Sequence, residues 1–319
     1  MALLIQKEGI LTTVQGLGRY GMQRFGINPG GAMDSTATRL INLLLGNEEW
    51  EPVIEMHFPA SEIVFEEACV IALGGADLDA SLNGESIENW RPIFASRSSV
   101  LKFKQKVRGN RCYLSAKGGF NLDRLYDHGG TEFRKKILKS PQLKKHSRLD
   151  LKIRSTSVDA FPERRISTSL LPVYSQFPTV RIVAGGEFNL LDNAGKRILS
   201  DETFTVTNDS NRMGYRLSGH AILPTKKTEM VSSAVSFGTI QLLPDGQLIV
   251  LMADHQTSGG YPRIANVISS DLPLLAQLAA NDKVAFKLID IEEAERISIR
   301  FEHDVQRLRI GCSFGRYWP

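Results

Sequence analysis

Short runs of β-branched and aromatic residues recur along the whole chain and are separated by turn-forming residues. Residues 62–65 and 68–73 are examples from the first half, and residues 239–243 and 248–252 are examples from the second. Strands of this length at this spacing are typical of β-sandwiches and β-barrels. A hairpin is predicted at residues 244–247, where a proline fixes φ and a glycine accepts a positive φ.

A few helices interrupt the strands, and their apolar positions recur at helical spacing. The first is predicted to begin after the capping residue Asp34 and to end at Gly46. A second begins near Asp271 and runs to residue 279, and a third presents an apolar face over residues 294–308. The fold class predicted from these patterns is mainly β with a few helices.

The chain of 319 residues exceeds one ordinary hydrophobic core and is predicted to form two domains. A polar, Ser/Thr-rich stretch with three prolines at residues 159–178 is the predicted seam. It separates halves of similar length and strand rhythm, although no residue-by-residue repeat relates them. We therefore predict an N-terminal domain over residues 1–165 and a C-terminal domain over residues 166–319.

Hydrophobic residues make up 42% and charged residues 23% of the chain, as in ordinary folded proteins. The net charge is +4, and the largest basic cluster lies in residues 134–148. This cluster has neither interleaved aromatic residues nor a recognisable reader motif, so no nucleic-acid partner is predicted.

Cysteine usage and the lack of long apolar segments predict a cytoplasmic protein. The three cysteines, Cys69, Cys112 and Cys312, are far apart, odd in number and without metal-ligand spacing. Cys69 and Cys112 lie in apolar runs, where a buried thiol behaves as a small hydrophobe and suits a reducing compartment. No signal peptide is predicted, because no basic region precedes the first apolar run. No apolar stretch approaches the roughly 20 residues of a membrane span, so no membrane association is predicted.

The most unusual polar segment follows an apolar strand at residues 251–262. Asp254, His255, Gln256 and Thr257 stand in succession, and two glycines follow shortly after. Polar side chains at the end of a strand, beside glycines that let backbone approach a ligand, are typical of a binding loop. A histidine here could titrate near neutrality. A tight turn whose side chains bond their own backbone explains the same residues equally well.

A second polar segment contains Arg212 and Arg216 on either side of a glycine. Their guanidinium groups could converge on one carboxylate or phosphate. From the residues alone, a surface loop with ordinary salt bridges is the simpler interpretation.

Two glycine-rich stretches occur in the first half. Residues 15–21 present Arg19 but lack the spacing and the Lys-Ser/Thr ending of a phosphate loop. Gly30 and Gly31 lead into the first helix, whose N-terminus would favour an anion if Asp34 did not compete for it at the cap. The six histidines show no paired spacing, so no metal site is predicted, and no motif for ATP or for a Ser-His-Asp triad is visible.

The polar loops carry a resemblance to the allophanate hydrolase subunit 2 family. The most specific run is Asp-x-Gln-Thr-x-Gly-Gly-Tyr, from Asp254 to Tyr261, and weaker matches keep their order across residues 10–120 and 180–290. These matches are Gln15, Gly18, Arg19, Tyr20, Gly21, Gly31, Ala32, Met33, Asp34, Asn42, Gly46, Asn47, Glu55, Gly74, Gly75, Ala76, Asp77, Gly118, Gly119, Arg212, Met213, Gly214, Arg216, Leu217, Gly238, Thr239, Ile240, Gln241, Asp245, Gly246, Asp271, Leu272, Ala276 and Gln277.

The resemblance implies two cyclophilin-like β-barrel domains, with no implication of prolyl isomerase activity. It also implies a subunit of an ATP-dependent 5-oxoprolinase-type complex that hydrolyses a small lactam or amide and is inactive alone. The implied partners are a subunit 1 homologue and a lactam-utilisation protein. ATP would be used by the complex, since this chain has no visible motif for it.

Two alternatives stay open. The first is the carboxyltransferase subunit of a urea carboxylase/allophanate hydrolase system. Because no Ala-Met-Lys-Met biotinylation site is present, biotin would then be carried on a partner. The second is a non-catalytic regulator that binds a subunit 1 homologue.

Under the hydrolase hypothesis, the polar residues of these loops take distinct roles, and Arg212 and Asp254 are predicted to serve one cleft of the second domain. An arginine would pair with a substrate carboxylate, neutral side chains would hydrogen-bond the amide edge, and Asp254 would orient a group or relay a proton. The predicted catalytic residues are Asp254, Gln256 and Thr257; the substrate-binding residues are Arg19, Arg212, Arg216, Gln241 and Tyr261; and the loop-forming residues are Gly259 and Gly260.

Three positions depart from the family pattern. Gly16 stands where the family usually carries Asp, and Gly186 replaces the usual Pro. The Gly-Ser-x-Ser-Thr turn expected after Gly118 and Gly119 is replaced by an unrelated sequence at residues 126–136. If that turn lines the active cleft in relatives, its replacement alters substrate handling and favours the regulator.

Overall fold

The computed structural model describes residues 2–122, 141–152, 164–225 and 230–314. The segment 126–136, which departs from the family pattern, lies outside these residues, as does most of the basic cluster.

The chain divides into two compact units. The first comprises Met1–Leu17, Asp34–Pro172 and Glu302–Pro319, and the second comprises Gly18–Met33 and Val173–Phe301. The division after Pro172 falls inside the predicted seam at 159–178. However, Gly18–Met33 belongs to the second unit and Glu302–Pro319 to the first, whereas the predicted domains 1–165 and 166–319 place these segments the other way round. Strand rhythm does not reveal this exchange, because Gly18–Met33 contains only a short 3-10 helix, Gln23–Phe25.

The first unit is built from antiparallel strands in two sheets. The strands are β1 Ala2–Lys7, β2 Thr12–Gln15, β3 Val53–His57, β4 Glu62–Phe65, β5 Cys69–Asp77, β6 Ala80–Leu82, β7 Glu85–Ser86, β8 Pro92–Ala95, β9 Val100–Phe103, β10 Arg108–Ala116, β11 Phe120–Asn121 and β12 Arg148–Leu151. One sheet has seven strands in the order β11-β12-β1-β4-β9-β6-β7, and the other has five in the order β2-β3-β10-β5-β8. Their apolar faces enclose one core that includes Leu3, Phe65, Ile71 and Leu114.

The second unit contains a closed seven-stranded barrel. Its order is β13-β20-β17-β18-β15-β14-β21, and a separate two-stranded ribbon pairs β16 with β19. The strands are β13 Thr179–Ala184, β14 Thr203–Val206, β15 Gly214–Ser218, β16 Ser233–Ala234, β17 Thr239–Leu242, β18 Leu248–Leu251, β19 Ser258–Gly259, β20 Arg263–Val267 and β21 Lys283–Leu288. The mainly β prediction is confirmed, with closure into a barrel in this unit and two sheets in the first.

Four α-helices occur among the described residues: α1 Ser35–Leu45, α2 Asn193–Asp201, α3 Leu272–Ala276 and α4 Ile291–Phe314. Helix α1 begins and ends as predicted, because an Asp34 carboxylate oxygen accepts a hydrogen bond from the Ala37 amide at 2.8 Å and Gly46 adopts a φ of 71°. Helix α3 is shorter than predicted. Helix α2 is absent from the sequence prediction; its apolar face is narrow, since only two of its nine residues, Gly195 and Leu199, are buried and Ile198 packs beside them.

Two other local features agree with the sequence prediction, the hairpin and the burial of Cys69 and Cys112. β17 and β18 form the predicted hairpin, with Gly246 at a φ of 81°. Cys69 and Cys112 are buried free thiols, and burial raises the pKa of the Cys69 thiol to about 12. No helix in the described part of the chain is long and apolar enough to cross a membrane.

Candidate functional site

The polar segment after β18 emerges from the barrel core at Met252 and Ala253, which are both buried. The backbone turns at once, since the His255 amide donates to the Met252 carbonyl at 3.0 Å. On the other side, the Asp254 amide donates to the Arg212 carbonyl at 2.8 Å. These bonds place residue 254 directly beside the loop that precedes β15.

Arg212 and Asp254 form a two-point ion pair. Arg212 Nε donates to Asp254 Oδ2 at 2.8 Å and Nη2 donates to Oδ1 at 3.0 Å. The Arg212 side chain is 11% exposed and that of Asp254 is 33% exposed. The predicted proximity of these residues, 42 positions apart, is therefore present. Because both ends of the carboxylate are engaged, its orientation is fixed by the guanidinium group.

The segment Gly18–Met33 completes this site from a distant part of the chain. Arg212 Nη2 also donates to the Gly31 carbonyl at 2.6 Å, and Asn28 Nδ2 donates to the Asp254 carbonyl at 3.1 Å. Met33, at the end of the segment, is fully buried in the barrel core. The segment is thus held at both the polar site and the core of the second unit.

Gly30 allows Arg19 to approach the ion pair. A Cβ at Gly30 would lie 2.7 Å from Arg19 Nη2 and 3.6 Å from Asp254 Oδ1, and the φ of this residue is +62°. Only glycine combines that conformation with that space. We call Arg19, Asp254 and Arg212 the arginine cluster.

Arg19 is weakly satisfied within this cluster. Its Nη2 donates to the carbonyl and the side-chain oxygen of Asn28 at 3.4 Å each. Its Nε is buried and has no hydrogen-bond partner among the described residues. A buried donor without a partner is costly, by roughly 1–3 kcal/mol. The Arg19 guanidinium group therefore keeps donor capacity that is suited to an anion.

Gln241 contacts the polar segment 251–262 near its C-terminal end. Its side chain is buried, and Nε2 donates to the Tyr261 carbonyl at 3.3 Å. A Cβ at Gly259 would lie 2.5 Å from this Nε2, so Gly259 is required for the close approach. Gly260 is exposed beside it, and the Tyr261 side chain is 44% exposed.

Gln256 and Thr257 are half-buried between the cluster and the ribbon. The Thr257 carbonyl accepts from the Val235 amide at 3.3 Å, and His255 Nδ1 lies 2.5 Å from the Gln256 carbonyl. The His255 ring is a buried titratable group beside Asp254. Burial lowers its pKa below the ordinary 6.5, so the ring is neutral at pH 7.

Arg216 lies in different surroundings from Arg212. It is exposed in the middle of β15, between the buried side chains of Tyr215 and Leu217. Strand alternation therefore directs it away from the barrel core, whereas Arg212 precedes the strand and faces Asp254.

Sequence reasoning does not assign Asn28, Gly30 or Gly31 to this site. Their contacts are made partly by backbone carbonyls, which leave no side-chain signal. The adjacent glycines before α1 are the available clue. No group of His, Cys, Asp or Glu suited to a metal ion occurs among the residues that the structure describes.

Residues 25–288 match the family model described as "Carboxyltransferase domain, subdomain A and B". The chain belongs to this family. It is 31% identical to the C subunit of 5-oxoprolinase from Haemophilus influenzae, covering 93% of this chain and 94% of that protein. It is 33% identical to the corresponding 5-oxoprolinase protein of Escherichia coli, covering 96% of each.

Members of the carboxyltransferase domain family also occur inside much longer proteins. The chain is 27% identical to urea amidolyase of Saccharomyces cerevisiae over 95% of its own length, but spans only 17% of that protein. The solved structure of Kluyveromyces lactis urea carboxylase superposes with a TM-score of 0.84 at 24% identity, covering 96% of this chain and 29% of that one. At this identity the likeness establishes the fold.

Proposed function

We propose that this chain is the C subunit of an ATP-dependent 5-oxoprolinase-type complex that hydrolyses a small lactam or amide. The end-to-end match to the C subunits of two bacterial 5-oxoprolinases supports this assignment. Urea amidolyase supports it less, because this chain corresponds to a small part of that protein.

Within the second unit, the observation that carries the proposal is the buried Nε of Arg19, which has no partner among the described residues. A lactam such as 5-oxoproline bears a carboxylate beside its ring. Bound in the arginine cluster, that carboxylate would accept from Arg19, and a charge-assisted bond of this kind contributes about 1.5–3 kcal/mol.

The geometry favours Arg19 over Arg212 as the principal carboxylate partner. Arg212 already donates twice to Asp254 and once to Gly31. It would instead hold Asp254, whose carboxylate is one-third exposed, in a fixed orientation toward the substrate.

The amide edge of the substrate would be bound by the half-buried Gln256 and Thr257 and bordered by Tyr261. Gln241 would act as a positioning residue, because its amide is occupied beneath the Gly259 backbone. Gly260, which has no side chain, would leave the loop open above Gln241. The exposed Arg216 would contact the substrate only at the outer edge of the site.

ATP is assigned to a partner. The glycine-rich stretch around Gly18 leads into a three-residue 3-10 helix rather than a long helix, and the Asp34 carboxylate occupies the N-terminus of α1. Neither of these two stretches therefore forms a phosphate cradle. The partners we propose are a subunit 1 homologue and a lactam-utilisation protein.

The test is glutamate release from 5-oxoproline in the presence of ATP. The chain is assayed alone, with a subunit 1 homologue, and with that homologue plus a lactam-utilisation protein from the same genome. We expect turnover only in the full mixture. Turnover by the chain alone, or none in any mixture, would overturn the proposal.

A second candidate is the carboxyltransferase role, favoured by the description of the matching family. In that case the acceptor would be a urea-like amide and the carboxyl group would arrive on a biotin carried by a partner. Transfer of labelled bicarbonate to urea by the chain with a biotin-bearing partner, without glutamate release, would select this candidate.

A further inference from the structure

An exposed apolar surface lies on the loop between Arg19 and Pro29. Tyr20 is 66% exposed, Met22 is 38% exposed and Phe25 is 63% exposed, and all three lie within six consecutive residues. Single exposed apolar side chains are common on protein surfaces, but a cluster of large ones marks an interaction site.

The loop holds these side chains in place. The Arg19 amide donates to the Pro29 carbonyl at 2.8 Å and closes its base. At its tip, the Gly21 amide donates to the side-chain oxygen of Gln23 at 2.7 Å, and the Gly26 amide donates to the Gln23 carbonyl at 2.9 Å. A loop with this many internal bonds loses little conformational entropy when a partner binds.

The loop is also basic. The Arg24 guanidinium lies over the Phe25 ring, 4.7 Å from its centroid, and Arg19 stands at the base. No Asp or Glu occurs in Gly18–Met33. Aromatic residues, Met and Arg are the types that protein interfaces enrich, and Tyr and Arg are common among the residues that dominate binding.

We propose that the loop 19–29 is the docking surface for a partner subunit whose contacting face is apolar and bears acidic residues. This inference rests on the proposed function, which requires a partner. A second copy of the chain fits poorly, because a two-fold dimer would place the same patch against itself. Two basic loops would then meet, with no carboxylate in either loop to offset the repulsion between their arginines.

Docking here would also place the partner beside the arginine cluster, since Arg19 belongs to both the loop and the cluster. The partner would then exclude water from the carboxylate site, which strengthens charge-assisted bonds. The loop thereby links assembly of the complex to substrate binding.

The test measures binding of the full chain to a subunit 1 homologue from the same genome by isothermal titration calorimetry. Phe25→Glu removes the aromatic contact and adds a carboxylate. We expect it to raise Kd at least 30-fold, which corresponds to about 2 kcal/mol. The matched control is Val107→Glu, which changes an equally exposed apolar residue of the first unit, 57% exposed, and should leave Kd within twofold.

Two further measurements keep the outcomes distinct. Arg24→Glu reverses the charge while keeping every apolar side chain, so a tenfold weaker complex with an unchanged Tm supports an acidic partner face.

The remaining outcomes separate the docking surface from the proposed function. If wild type binds and both loop variants bind as tightly as wild type, the docking surface is wrong while the proposed function stands. If wild type itself does not bind, the proposed function fails. A wild-type dimer on light scattering that Phe25→Glu dissociates would assign the loop to a second copy.

Discussion

Two arginine–carboxylate clusters in this protein show how an ionic structural element differs from a candidate site. In the first unit, Arg39 Nε donates to Glu49 at 2.6 Å and its two terminal nitrogens donate to Glu302 at 2.7 Å each. Arg309 also pairs with Glu49. Each guanidinium group of this network therefore has a carboxylate partner.

The arginine cluster of the second unit is not fully paired in this way. Asp254 accepts from Arg212, but the Nε of Arg19 is buried without a partner among the described residues. A fully paired network stabilises the fold by itself, whereas a donor without a partner leaves binding capacity for an anion. The comparison therefore predicts that mutations in the first network act on stability and mutations in the second act on function.

The largest effect is expected from Glu49→Gln in the first unit. The Glu49 side chain is only 8% exposed and accepts from two arginines. Removing its charge weakens two charge-assisted hydrogen bonds at a buried acceptor, which should lower the free energy of unfolding by about 3 kcal/mol. Urea unfolding measures this change, and turnover of the assembled complex at low temperature should stay near that of wild type.

The control is Glu66→Gln, because Glu66 pairs with Arg148 in the same unit at an exposed position. It should lower the free energy of unfolding by less than about 1 kcal/mol. Equal losses in the two variants would mean that burial does not distinguish these ion pairs, and the comparison would fail at its first step.

Arg19→Ala should show the opposite behaviour. It removes the guanidinium group with the unpaired donor, so we expect the kcat/KM of the complex to fall about 10- to 100-fold, from the roughly 1.5–3 kcal/mol of a charge-assisted contact. The Tm should not fall, because no strong native bond is lost. Arg197→Ala changes an exposed arginine on α2 of the same unit and should alter kcat/KM by less than about threefold. A lower Tm in Arg19→Ala with activity lost in proportion would make Arg19 structural.

How much of this site could be predicted from sequence depends on the kind of contact. Cap and turn residues such as Asp34 and Gly246 act locally, so their positions follow from sequence pattern. The approach of Arg212 to Asp254 was predicted from their complementary chemistry. The contribution of Gly18–Met33 could not be predicted in this way. It depends on backbone carbonyl groups and on the packing of Met33 in the barrel core, and neither produces a periodic pattern in the sequence.

Gly30→Ala is expected to have an intermediate effect and tests whether the position of Arg19 matters as well as its charge. A Cβ would meet Arg19 Nη2 at 2.7 Å, so the flexible guanidinium group must shift from its position in the cluster. The positive φ should also cost about 1–2 kcal/mol of stability for a residue other than glycine. We expect a several-fold lower kcat/KM and a small drop in Tm.

The matched variant for that prediction is Gly84→Ala in the first unit, which also has a positive φ but has open space around its Cβ. It should show a similar loss of stability without the loss of kcat/KM. If the two variants lower kcat/KM equally, displacement of Arg19 is not the cause and the positive φ alone explains the result.

The smallest expected effect is a pH dependence that originates in His255, the buried neighbour of Asp254. Burial lowers the pKa of the folded-state ring below the ordinary 6.5, while the unfolded chain titrates near that value. Below pH 6.5 the unfolded state therefore binds more protons, and the free energy of unfolding falls as the pH falls toward the folded-state pKa. Above pH 6.5 the contribution of His255 to the free energy of unfolding is fully present.

His255→Asn tests this pH dependence. It keeps a donor for the Gln256 carbonyl but does not titrate, so its free energy of unfolding should fall less than that of wild type between pH 7 and pH 5. Urea unfolding at several pH values in this window provides the comparison. A His255→Asn curve parallel to wild type would show that the neutral ring beside the arginine cluster does not contribute to stability, and that the acid sensitivity of the protein arises elsewhere.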